Sequence, residues 1–163
     1  GNVYQWDEGD DMERLPVEPD ALFTLGFVAG RAAHFCYEAD RGTMSGSDML
    51  RKMRAYYHLI KKQQEHKAVF GVHPIRAVLI ETTDEPRARK LMNLAEHPLV
   101  SGAAKRAGLF WFVISPLFTD CVSGLPGYLT RPEVILDRLW ALPDLTLHTL
   151  CDNENKTHSQ DSK

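Results

Sequence analysis

Three acids of this chain, Asp20, Glu38 and Asp40, have the types and spacing to do chemistry. They occur in Pro19-Asp20-Ala21-Leu22-Phe23 and, one short hairpin later, in Phe35-Cys36-Tyr37-Glu38-Ala39-Asp40-Arg41-Gly42-Thr43. Each sits in or at the end of an apolar run of strand-forming residues. A carboxylate there costs free energy unless it meets a cation or another partner. Phosphodiester cleavage needs charge neutralised at the phosphate and an activated oxygen nucleophile. Mg²⁺ or Mn²⁺ supplies both, and takes only a few carboxylates plus water. Asp20 and Glu38 are the candidate metal ligands, with the carbonyl of residue 39 as a third. Asp40 adds metal affinity or acts as a base. Lys52, one turn into the helix that follows, is the candidate to position water or phosphate. Arg41 is a rival cation, better suited to bind a phosphate than to move a proton. The bland alternative is an edge hairpin with solvated carboxylates.

Lys52 and Tyr56 are four residues apart, which places them on one side of a helix, either as part of the site or as a surface pair. The Tyr56-Tyr57 doublet also suits the nucleophile of a DNA-nicking enzyme, although a core aromatic is the simpler reading. Other chemistries lack their residues. The seven histidines (34, 58, 66, 73, 97, 148 and 158) are scattered, with no His-x-His and no His-Glu-x-x-His. There is no Gly-x-x-x-x-Gly-Lys loop and no Gly-x-Ser-x-Gly elbow.

The elements that must hold these residues follow from periodicity. Residues 20–28 and 33–40 read as an antiparallel pair of strands. Alternation puts His34, Cys36, Glu38 and Asp40 on one face, and Ala33, Phe35, Tyr37 and Ala39 on the other, which is the better core candidate. Asp20, Leu22 and Thr24 share a face of the first strand, so Asp20 can meet Glu38 if the register allows. Ser45 or Ser47 can cap a helix over about 48–67, whose stripe is Met49, Met53, Tyr56 or Tyr57, and Ile60. A buried strand follows at 75–82. Next come a helix at 85–96 with Pro86 in its first turn, a short resumed helix at 102–107, and an aromatic strand at 109–115. Residues 116–130 read as a loop and 132–142 as a short helix. The organisation is an acidic N-terminal arm (1–15), one domain (16–150) and a disordered tail (151–163). The fold class is α/β (α+β): a mixed central sheet flanked by helices.

The chain of 163 residues is long enough for one domain with a core, and its 44% hydrophobic and 25% charged residues are ordinary for a globular protein. No apolar stretch is long enough to span a bilayer. Beginning at Gly1, the chain reads as a trimmed fragment. Three cysteines, Cys36, Cys121 and Cys151, form no Cys-x-x-Cys; zinc and a disulfide framework are disfavoured, and a reducing, cytoplasmic compartment fits. The net charge of −3 hides an asymmetry: residues 1–20 hold seven acids against Arg14 alone, a balance of −6, which leaves +3 for the rest. Arg51, Lys52, Arg54, Lys61, Lys62 and Lys67 cluster on the long helix and its exit. Such a face attracts phosphates, although a merely solvated helix face is at least as common.

Together, Pro19-Asp20-Ala21-Leu22-Phe23, Tyr37-Glu38-Ala39-Asp40-Arg41-Gly42-Thr43, Lys52 with Tyr56, and the strands at 75–82 and 109–115 resemble the replication-relaxation family of mobile-element proteins, which includes the MOB-C class of plasmid mobilisation relaxases. The Glu-x-Asp-Arg-Gly-Thr stretch is the specific part. The resemblance covers most of residues 15–145. It implies a PD-(D/E)xK restriction-endonuclease-like core with Mg²⁺ or Mn²⁺, acting on plasmid or integrative-element DNA, with other mobilisation proteins as further partners. Asp20 and Glu38 would bind metal, and Asp40 and Lys52 would complete the catalytic set. Arg41, Arg51, Lys52, Arg54 and Tyr56 would contact DNA. The pattern departs from that family where Asp40 stands in place of a lysine. A DNA-binding or protein-interaction module without catalysis is the alternative.

Overall fold

The apolar runs assemble into one mixed sheet, and the order of its strands decides where the helices go. The computed structural model describes residues 3–8, 11–62, 64–102, 108–114 and 132–152. The N-terminal arm forms a hairpin of its own, β1 (Val3–Glu8) antiparallel to β2 (Asp11–Pro16). The main sheet has six strands in chain order: β3 (Ala21–Gly26), β4 (Ala32–Ala39), β5 (Ile75–Thr82), β6 (Phe110–Ile114), β7 (Trp140–Ala141) and β8 (Leu147–His148). β4, β5 and β6 are parallel; β3, β7 and β8 join antiparallel to their neighbours.

Parallel neighbours require crossovers. α1 (Gly46–Tyr57) and α2 (His66–Phe70) lie between β4 and β5; α3 (Glu85–Ala95) and α4 (Pro98–Ser101) lie between β5 and β6. The strands are added in one direction, so crossovers of one hand fall on one face. Accordingly α1 packs on α3 and α4. This layer covers Cys36, Val78, Ile80, Phe110 and Phe112 of the sheet. The opposite face, including Phe35, Leu79 and Trp111, is covered by the C-terminal stretch: Val134 and Ile135 of a 3₁₀ turn (Pro132–Leu136), then Trp140 and Leu150. β5 is thus buried on both sides, as its continuous apolar run requires.

Several expectations change. Both faces of β4 are core, not the Phe35 face alone, because the helix layer buries Cys36 fully on the acid-bearing side. The helix expected at 48–67 starts earlier and breaks. Ser45 accepts the Asp48 N–H at 3.1 Å and starts α1 at Gly46. After Tyr57 the chain widens into a π turn, His58–Lys62, whose first three residues are all buried, before α2 resumes. The helix expected at 132–142 is only the 3₁₀ turn. The following residues form β7, where Ala141 pairs with Phe112 and Trp140 is fully buried, so burial of the indole outweighs local helix preference. A short helix that was not expected, α4, stands at Pro98–Ser101; residues 103–107 of the resumed helix expected at 102–107, the loop at 116–130 and the tail from 153 lie outside the described residues. Among the described residues no helix is long and apolar enough to cross a membrane.

Candidate functional site

Alternation along β4 turns Cys36 and Glu38 toward the helix layer, and Asp40 follows at the strand's end. In the β3–β4 ladder Ala21 faces Tyr37, and Asp20, just ahead of that strand, lies close enough for its charge to act on Glu38. Asp20 Oδ2 accepts the Ala39 N–H at 2.8 Å and remains exposed. From the other side comes α1. Its four-residue spacing aims Lys52 and Tyr56 at one point, and both donate to Glu38: Lys52 Nζ to Oε2 and Tyr56 OH to Oε1. Glu38 is 5% exposed and Tyr56 1%.

Burial pushes the Glu38 carboxyl above its ordinary value. The hydrogen bonds from Lys52 and Tyr56 and the Lys52 charge oppose that rise without cancelling it, and the Asp20 charge adds to it. Burial, then the Glu38 charge, also raises the Tyr56 phenol, which keeps its proton and acts as a donor. Beneath them the Cys36 thiol is pushed up to about 12 by burial and by Glu38.

Asp40 belongs to a second constellation. Arg87 Nε donates to Oδ2 at 2.8 Å and Arg87 Nη2 to Oδ1 at 2.9 Å, a bidentate pair. The Thr82 hydroxyl donates to Oδ2 at 2.7 Å and the Gly42 N–H to Oδ1 at 3.3 Å. Burial pushes this carboxyl up, but the hydrogen bonds of Arg87 and Thr82 and the Arg87 charge outweigh it and hold it below its ordinary value. Its partner Arg87 is raised, first by the hydrogen bond to Asp40.

The structure therefore gathers Asp20, Glu38 and Lys52, and sets Asp40 apart from them with Arg87. Of the residues expected at DNA, Arg41 and Arg51 are exposed and Arg54 is half-buried. Tyr56 does not reach the surface; it fills the core beneath Lys52, because its ring packs with Met49 and Met53 in the helix-side core. Arg87 and Thr82 carry no recognisable motif. One signal existed for Arg87: a cation in the first turn of a helix opposes the helix dipole unless a carboxylate meets it.

A divalent ion finds hard oxygen donors in Asp20 and Glu38, and Mg²⁺ ordinarily takes one or two carboxylates with waters for the rest. Glu38 accepts one donor on each oxygen, so lone pairs remain, and its raised carboxyl is one whose charge is undercompensated. The donor set fits. Among the described residues no group of three or more His, Cys, Asp or Glu gathers as a metal cage. An open apolar groove of 190 Å³ between α3 and the β6–β8 edge is lined by residues such as Met92, Phe112 and Leu145 and includes none of these acids. Compared with models of protein families, with curated proteins and with solved structures, the chain matches none.

Proposed function

We propose that this chain is the metal-dependent DNA endonuclease or nickase core of a mobile-element mobilisation or replication-relaxation protein, on a PD-(D/E)xK-like sheet. The observation that carries the reading is the meeting of Glu38, Lys52 and Tyr56, with Asp20 close by, at the end of a parallel strand. The carboxyl ends of strands in such sheets are where ligands ordinarily bind. The mixed sheet, with antiparallel β3 beside β4 and helices between parallel β4 and β5, supports the reading.

Asp20 and Glu38 would hold Mg²⁺ or Mn²⁺. When bound, the ion supplies charge neutralisation at a phosphate and a more acidic water. Lys52, whose side chain is 22% exposed, links Glu38 to solvent and carries the positive charge that the departure at Asp40 removes from the strand. Tyr56 orients Glu38 from below by a hydrogen bond and packing. Exposed Arg41, Arg51, Lys61 and Lys62 supply phosphate contacts, which makes binding salt-dependent.

Nicking of supercoiled plasmid in Mg²⁺ or Mn²⁺ is the test. Wild type nicks, Asp20→Ala and Glu38→Ala do not, and EDTA abolishes the reaction. Equal, metal-independent background in all three proteins would overturn the enzymatic reading. One observation favours a second reading, a DNA-binding or protein-interaction module without catalysis: Glu38 and Asp40 are each already paired with a cationic side chain. That module retains DNA or partner affinity and nicks nothing.

A further inference from the structure

The Asp40 carboxylate accepts four hydrogen bonds, two on each oxygen, from Arg87, Thr82 and Gly42. With both lone pairs of each oxygen engaged, it has no acceptor capacity left for an ion. What the pair does hold is the turn after β4. Gly42 is tied to Asp40 by its N–H, and its φ of +76° lies in the left-handed region that favours glycine. Two residues later, Arg87 Nη2 donates to the Met44 carbonyl at 3.0 Å. Ser45 then caps α1. One guanidinium on α3 thereby fixes the backbone on both sides of a short stretch. Within it lies Arg41, which is exposed, and no hydrogen bond or ion pair to another described residue holds its guanidinium. It stands one residue beyond Asp40 and three beyond Glu38.

A flexible turn would lose conformational freedom on binding; a turn fixed beforehand does not. We infer that Arg87, acting through Asp40, is a positioning residue that locks the 41–45 turn and so presents Arg41 to a backbone phosphate of DNA beside Glu38. Asp40 belongs to that clamp and not to the metal ligands. The inference rests on the DNA-directed reading above and is independent of whether the site cuts.

Anisotropy of a short, fluorescein-labelled duplex of random sequence, titrated in EDTA at several NaCl concentrations, tests it. Arg41→Ala weakens binding and lowers the slope of log affinity against log salt by about one, as the loss of one phosphate contact should. Arg87→Ala, although its guanidinium is largely buried and already paired, lowers the slope equally, and the double variant loses no more than either alone. Asp40→Asn also weakens binding. If net charge alone mattered, removing that acid would tighten it. Circular dichroism checks that each variant is folded. Should Arg87→Ala fail to fold, Thr82→Val, which removes one donor to Asp40, gives a smaller loss that vanishes in the Arg41→Ala background. A wild-type salt slope in Arg87→Ala, or additive losses in the double variant, overturns the inference alone. No duplex binding by wild type overturns it together with the DNA-directed reading.

Discussion

Glu38 and Asp40 lie two residues apart, one within β4 and one just past its end, both buried on the helix side, yet their carboxyls shift in opposite directions. Burial penalises both. Glu38 answers it with one ammonium and one phenol; Asp40 answers with a bidentate guanidinium, a hydroxyl and a backbone N–H. The number and charge of the donors, set against the burial that each must offset, therefore decide which acid is comfortable as an anion. The comparison separates roles. A saturated carboxylate serves structure, and an undercompensated one is poised to accept a further cation.

The largest break in this contrast is expected at the clamp. Asp40→Ala leaves the Arg87 guanidinium largely buried without its counter-charge, and loss of one partner of such a pair costs about 3–5 kcal/mol. Urea unfolding measures it, and a loss below 1 kcal/mol would mean that the pair is not a structural anchor. Tyr56→Phe keeps the ring in the core but strips a donor from buried Glu38. A hydrogen bond to a charged group is worth about 1.5–3 kcal/mol, so a loss near 2 is expected, with Tyr57→Phe close to wild type as the control.

pH sharpens the comparison with a smaller effect. The folded Asp40 carboxyl lies below its unfolded value, so its contribution is fully present above the ordinary carboxylate range and is lost as pH falls through the depressed value. Glu38 runs the other way. Its folded value is raised, so stability falls as pH rises from the ordinary carboxylate range through the raised value. Glu38→Gln should flatten the decline above about pH 4.3, the ordinary glutamate value, and Asp40→Asn the decline on the acid side. Chemical denaturation across pH reads both slopes; identical profiles in the two variants would erase the distinction. The smallest effect comes from the neighbouring cation on the same helix. Arg89 pairs with Glu85 at i,i+4, but both side chains are more than half exposed, so Arg89→Ala is expected to cost no more than about 0.5 kcal/mol. A cost comparable to that of Asp40→Ala would show that exposure does not rank these pairs.

Much of the scaffold was legible because its signals are local. The continuous apolar run at 75–82 is β5 to the residue. Of the two serines offered as a cap, Ser45 is the one used, and Pro86 sits in the first turn of α3 as expected. Helical spacing set Lys52 and Tyr56 on one side of α1, and alternation set Glu38 on one face of β4; that both donate to that carboxylate was not legible, because it depends on how the helix packs on the strand. What stayed hidden depends on distant partners. β7 and β8 are two residues each and become strands only because β6 offers a free edge beside a buried Trp140. The π turn after Tyr57 answers to packing around His58, Leu59 and Ile60 rather than to any breaker residue. The expectation that Asp40 joins the acids of the site rested on alternation along the strand and on the resemblance of its stretch to a family pattern, which is information local to the strand. It could not register that Arg87, 47 residues away, would reach the same carboxylate first.

Because both crossovers take the same side, the cover of Phe35, Leu79 and Trp111 on the other side of the sheet comes, among the described residues, from 132–150. During synthesis, the helical half can assemble while a broad greasy plane still faces the ribosome exit and its chaperones. A stop codon ahead of Pro132 would leave that plane bare for good, so truncation should yield inclusion bodies rather than a smaller working protein.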